Sequence, residues 1–197
     1  MRLILASSSP YRRQMLLRLG LPFEVCPPDV DETPTPGEDP VALALRLARA
    51  KALRVAAAHP DAIVIGSDQV AVFEGRPVGK PGSHAGARAQ LRRFSGRSVA
   101  FHSALCVTDG TTVHVEDVPT DCEFLTLDEA QIEHYLRTER PYDTAGSAKA
   151  EGLGIALMAR MRSDDPTAII GLPLIALARL LRRLGLDPLQ PPTLTPP

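Results

Sequence analysis

The chain has no tryptophan, and its eight Phe and Tyr residues make up only 4% of 197 positions. Just three of them, Tyr11, Phe94 and Phe101, lie near a basic cluster, and the formal net charge is −1. A nucleic-acid module needs a basic field and stacking aromatics together, so neither nucleic acid nor an anionic membrane surface is an expected partner. Long hydrophobic runs are missing too. No apolar stretch reaches the roughly 18 residues that a membrane span needs, and the segment after Arg2 is too short to read as a signal peptide. Cysteine is scarce: Cys26, Cys106 and Cys122 are an odd, widely spaced set without a CxxC pair. That argues against a zinc site and for a reducing compartment, and the expected localisation is cytoplasmic. Lysine is the rarest of the charged residues. Of 22 basic residues only Lys51, Lys80 and Lys149 are not arginine. Either those positions need a compact, flexible charge, or codon usage has left three survivors; the two readings stand even until the neighbours are considered.

What is present is an alternation of strand and helix signals. "RLILA" (2–6) reads as a buried strand, Ser9 as an N-cap and Pro10 as the first helical residue, with Gly20 as the stop. "PFEVC" (22–26) suggests a second strand. An acidic, proline-rich loop follows, and Asp39-Pro40 opens a long helix to about Ala58. "AIVIG" (62–66) is a strand expected to end at Ser67-Asp68-Gln69. A hairpin turns at Glu74-Gly75 and is closed by Gly79-Lys80-Pro81; a helix spans 85–94. Two strands joined at Asp109-Gly110 come next, then "CEFLTL" as a further strand. Asp128 caps a helix to about Arg137, "DTAGSAKAEGLG" reads as a loop, "IALMARM" as a strand, and "LPLIALARLLRRLG" as a closing amphipathic helix. The expected fold is a mixed α/β protein around a central sheet, in two lobes. Residues 1–187 form one domain and 188–197 a disordered, proline-rich tail.

The junction "LILASSSPYRR" concentrates chemistry. A helix N-terminus presents free N–H groups and about half a positive charge. Ser7, Ser8 and Ser9 add hydroxyls, and Arg12 and Arg13 can grip phosphate oxygens in bidentate fashion. The plainer reading is N-capping beside solvated arginines. The glycine spacing of a Walker A loop or of a dinucleotide fingerprint is absent. Asp68, directly after an apolar strand, can serve as a general base or as a hard ligand for a cation, or simply as a turn former. Asp31 and Glu32 can join a metal site or remain a solvated acidic loop. Lys80 closes a turn where its ammonium can meet a phosphate. Together these suggest metal-assisted cleavage of a phosphoanhydride.

"LILASSSPYRRQMLLRLG", "VDET", "LALRLARAKA", "IVIGSDQV", "GKP", "AGSAKAEGLG" and "IIGLPL", in this order, resemble the Maf family of nucleotide pyrophosphatases from about Leu3 to Gly185. All three lysines fall inside these motifs, which favours a functional reading of them. The resemblance implies a central, strongly twisted mixed sheet flanked by helices, with a nucleotide cleft between two lobes. It also implies hydrolysis of a nucleoside triphosphate between the α and β phosphates, with a divalent cation (Mg²⁺, Mn²⁺ or Co²⁺) as cofactor. By position, Ser7, Ser9, Arg12, Arg13 and Lys51 would bind the triphosphate. Lys80 would pair with phosphate oxygens, Glu32 would place metal or water, and Asp68 would be the proton acceptor; Glu32 and Asp68 are the metal-ligand candidates. "GSDQ" and Glu151 in "KAEG" resemble the branch acting on 7-methyl-GTP, with Tyr11, Gln69 and Glu151 as specificity positions. An aromatic face and a carboxylate suit a cationic base. Position 11 is Tyr where that branch commonly has Trp, and position 148 is Ala where Phe is expected. Two other functions remain open at this point. One is a dTTP/UTP or broad modified-nucleotide pyrophosphatase; the other is a nucleotide-binding regulator of cell division and septum formation. The family also suggests a homodimer.

Overall fold

A computed structural model describes residues 2–190. Strand β1 (Arg2–Ala6) buries every residue after Arg2, and α1 (Pro10–Leu17) begins where Ser9 Oγ accepts the amide of Arg12, with Pro10 in the first turn. Strand β2 (Glu24–Val25) is shorter than its apolar surroundings suggest. Helix α2 (Pro40–Ala56) starts at Asp39, whose carboxylate accepts the amides of Val41 and Ala42. Its buried face (Ala44, Leu47, Ala48, Lys51, Ala52, Val55) repeats every three to four residues. Then come β3 (Ala62–Phe73), β4 (Arg76–Val78), α3 (His84–Phe94), β5 (Ser98–Thr108) and β6 (Val113–Phe124). Helix α4 (Glu129–Glu139) is opened by a reciprocal Asp128–Gln131 capping box, and β7 (Met158–Arg162) and α5 (Leu174–Arg183) complete the chain.

The sheet has seven strands in the order β2-β1-β3-β5-β6-β7, with β4 paired to β3. β1 runs parallel to β2 and β3, and every other pairing is antiparallel. Alternating side chains divide β1, β3 and β5 between two cores. Leu3, Leu5, Ile63, Ile65 and Leu105 face α1 and α5, whereas Ile4, Ala6, Val64, Ala104 and Cys106 face α2. A third core gathers Phe73, Phe94, Phe101, Phe124, Ile132 and Tyr135 around the far half of the sheet under α3 and α4.

Three expectations about elements are corrected. β3 does not end at Ser67–Gln69; it continues to Phe73, because its backbone stays paired with β5 as far as Val72↔Ala100. "CEFLTL" is not a separate strand, since Cys122–Phe124 finishes β6. In "IALMARM" the first three residues belong to a 3-10 turn (Leu153–Leu157), and only Met158 onward joins the sheet. At the C-terminus, 188–190 lie in a turn bridged from Asp187 to Gln190, and the rest of the expected tail lies outside the described residues.

Candidate active site

The parallel ladder between β1 and β3 stops at Ala6↔Gly66. Beyond it β1 turns through three serines into α1, while β3 carries Ser67, Asp68 and Gln69 onward along β5, before β4 joins its other edge at Ala71. The crevice where the strands part opens into a cleft of about 440 Å³. Strand ends and helix N-termini of this kind leave backbone N–H groups unpaired, which suits an anion. Ser7 is buried and its Oγ accepts the amide of Ser9, so two hydroxyls in succession shape the turn.

Helix α2 lies directly against β3 because residue 66 is glycine: a Cβ there would stand 2.2 Å from the Ala48 carbonyl oxygen and 2.7 Å from the Ala52 nitrogen. That closeness brings Lys51 of α2 to Asp68 of β3. Lys51 is 6% exposed, and its Nζ lies 2.7 Å from Asp68 Oδ1 and 2.8 Å from Glu32 Oε1. A buried ammonium needs such pairing, since it has left water behind. Arg12 donates from Nε to the Gly171 carbonyl at 3.0 Å. Burial draws its guanidinium pKa below the ordinary value, while Asp68 and Glu32 oppose that shift; an arginine so placed still keeps its charge. Gln69 Nε2 donates into the turn at Ala168–Ile170, and the Ser67 hydroxyl donates to Gly171 O at 2.9 Å.

Ser7, Ser9, Tyr11, Arg12, Glu32, Lys51, Asp68, Gln69, Lys80 and Glu151 all line this one cleft, as do Ser8 and Ala148. Arg13 does not: it is exposed on α1, outside the lining. Tyr11 is half-buried, and Lys149 Nζ stands 5.9 Å from its ring centroid. Lys80 is exposed at the cleft, in a loop tied to α3 where Gln90 donates to Gly79 O. Ser67 in "GSDQ", Thr144 in "DTAGSAKAEGLG" and the Ile169–Gly171 wall in "IIGLPL" carry no assigned role in the sequence, yet Thr144 and 169–171 line the cleft and Ser67 bonds to Gly171. Gly171, with φ +103°, was the legible part of that wall, because a turn in that conformation asks for glycine.

Asp68 and Glu32 are the two cleft carboxylates that meet at one point; among the described residues no group of three His, Cys, Asp or Glu is arranged to hold a cation. Asp68 and Glu32 meet at the single Lys51 ammonium, so their oxygens already converge on a positive charge. Hard oxygen ligands, few in number and beside an anion site, suit a Mg²⁺-type ion that keeps waters and takes its remaining ligands from phosphate. The residues fit such an ion.

The mixed sheet, the helix N-terminus and a carboxylate pair bridged by lysine in one cleft describe a nucleotide-hydrolase architecture. Comparison with known proteins names the class. The Maf-like protein family matches residues 2–184, and the chain belongs to that family. A "7-methyl-GTP pyrophosphatase" of Bordetella avium is 68% identical over 192 residues, 98% of each chain. Proteins of the same name from Bordetella pertussis (66% over 188 residues, 95% of this chain and 94% of theirs) and Cupriavidus pinatubonensis (59% over 186 residues, 93% and 94%) are also similar.

Proposed function

We propose that this chain hydrolyses 7-methyl-GTP to 7-methyl-GMP and pyrophosphate in the cytoplasm, with a divalent cation. The observation that carries the chemistry is the Lys51 ammonium joining Asp68 to Glu32 at the mouth of an anion-binding helix end. The base reading rests on the names of relatives at 58–68% identity and on Tyr11 and Glu151 in the same cleft. No helix among the described residues is long and apolar enough to cross a membrane.

In this reading the triphosphate lies along the α1 N-terminus, with its oxygens met by Ser7, Ser9, Arg12 and Lys80. Arg12 is held at Nε by Gly171 O, which leaves its two terminal nitrogens for a bidentate grip. Lys51 occupies Asp68 Oδ1, leaving Oδ2 to take the proton of the attacking water. The water oxygen bonds to phosphorus, the bond to the α–β bridging oxygen breaks, and pyrophosphate leaves with its charge against Arg12 and Lys80. Glu32 and Asp68 would hold the cation, which supplies neutralisation of the phosphate oxygens and a more acidic water. Tyr11 offers its ring face, and Glu151 its charge, to a base made cationic by methylation at N7.

The test is pyrophosphate release from 7-methyl-GTP, GTP, dTTP and UTP, each with Mg²⁺, Mn²⁺ or Co²⁺, beside Asp68→Asn. Preferential cleavage of 7-methyl-GTP is expected, with turnover lowered at least about 100-fold by the substitution and product binding retained. Preference for dTTP or UTP would overturn the base assignment, and full activity of Asp68→Asn would overturn the mechanism.

A further inference from the structure

Directly opposite Gln69 in the β3–β5 register lies Ser103, a fully buried serine to which the reaction above gives no part. Gln69 Nε2 stands 3.0 Å from Ser103 Oγ, 3.1 Å from the Ala168 carbonyl oxygen and 3.0 Å from that of Ile169. Carbonyl oxygens only accept, so the NH₂ end of the carboxamide must face them. Turning the amide over would set its oxygen against two others. Ser103 has a single hydroxyl proton and gives it to Ala168 O at 2.6 Å, so toward Gln69 it too is an acceptor. Two amide protons therefore meet three acceptors, and neither is left for a ligand. Oε1 accepts no hydrogen bond among the described residues, and the Gln69 side chain lines the cleft.

Resting on the nucleotide reading above, we propose that Ser103 is a positioning residue for base selection. With the two carbonyls it locks the Gln69 carboxamide so that the cleft is offered only an acceptor. A base that brings N–H donors to that point is favoured, as the guanine edge does with its ring N1–H and exocyclic amino group. A base that brings a carbonyl oxygen there, as uracil and thymine do at either side of N3, sets oxygen against oxygen. The serine acts on both partners at once. It accepts from Gln69, and it ties the turn at 168–170, which forms part of the cleft wall, to β5.

The lock is tested first without mutation. In the free protein the Gln69 side-chain NH₂ protons are expected to exchange slowly with solvent by NMR, and to keep doing so when 7-methyl-GMP is added. Fast exchange in the free protein overturns the lock. Selection is then tested by calorimetric binding of the products 7-methyl-GMP, GMP and UMP to wild type, Ser103→Ala and Ser103→Thr, the last of which keeps the hydroxyl. The preference for guanine over uracil ligands should fall about three- to tenfold in Ser103→Ala, the worth of one neutral hydrogen bond, and hold in Ser103→Thr. The kcat/KM ratio of 7-methyl-GTP to UTP should move in parallel. A folded Ser103→Ala with an unchanged ratio, or with equal losses for all ligands, overturns the proposal. Should Ser103→Ala not fold, loss of preference in Ser103→Thr despite a protected Gln69 amide overturns it as well. If wild type binds none of these nucleotides while the Gln69 amide stays protected, the nucleotide reading falls and base selection falls with it, but the lock remains.

Discussion

Lys51 carries two burdens, since the same Nζ neutralises Asp68 and Glu32. In Lys51→Met the helix keeps a side chain of similar length, but two carboxylates are left facing each other without a cation. Breaking a fully buried pair costs about 3–5 kcal/mol. Here Glu32 is more than half exposed and water reaches it, so a loss of roughly 2 kcal/mol is expected at neutral pH by chemical denaturation. Tyr11 makes the complementary prediction on the ligand side. Trp is the better partner for a cation, so Tyr11→Trp should tighten 7-methyl-GMP binding a few-fold more than GMP binding, as read by calorimetry. An equal gain for both would mean that the ring meets the base as apolar surface alone.

At the scale of elements, the distance from Lys51 to Asp68 is set by how closely α2 approaches β3, and Gly66 sets that approach. Gly66→Ala places a methyl group where the α2 backbone now is, and backbone atoms cannot step aside as a flexible side chain would. A loss of about 3 kcal/mol or more is expected, with turnover falling further than the stability loss alone explains, because the ammonium is carried away from Asp68. Retained activity in a destabilised but folded variant would show that the pair tolerates displacement. This contact also separates what was legible in the sequence from what was not. The caps at Ser9, Asp39 and Asp128 were readable because each rests on a side chain and an amide two or three residues away. The end of β3 was misread for a tertiary reason. An ionisable residue after an apolar run looks like a strand leaving the sheet, yet Asp68 stays within it, because Lys51, 17 positions earlier, meets its charge. Ser103 left no signal, and Ser67 was legible only as a letter of "GSDQ", since serines inside strands acquire their structural meaning from the carbonyls of the 168–171 turn, 65 or more positions away. Arg13 shows the converse limit of a motif, which lists neighbours in sequence: on a helix adjacent residues point about 100° apart, so Arg12 lines the cleft while Arg13 is exposed outside that lining.

Across the whole molecule the cleft draws on residues from Ser7 to Gly171, so the site exists only when the cores on both sides of it are formed together. Two long strands make that coupling. β5 carries Phe101 in the core under α3 and α4 and Cys106 in the core under α2, while β6 pairs with it along eleven consecutive positions and carries Cys122. Neither core can open without stripping a strand that the other uses. The cysteines report on this directly. Cys106 and Cys122 are fully buried in different cores, and burial pushes each thiol up to about 12. At pH 8 the native protein should therefore offer no reactive thiolate at either position, whereas Cys26 is only half-buried. Alkylation under native conditions, followed by mass spectrometry, should modify Cys26 first. Cys106 and Cys122 should follow at one common, much slower rate, equal to that of global opening. If Cys122 reacted appreciably faster than Cys106, the α3–α4 core would be opening alone, and the cleft would be assembled by docking a separately mobile wall rather than by folding of a single unit.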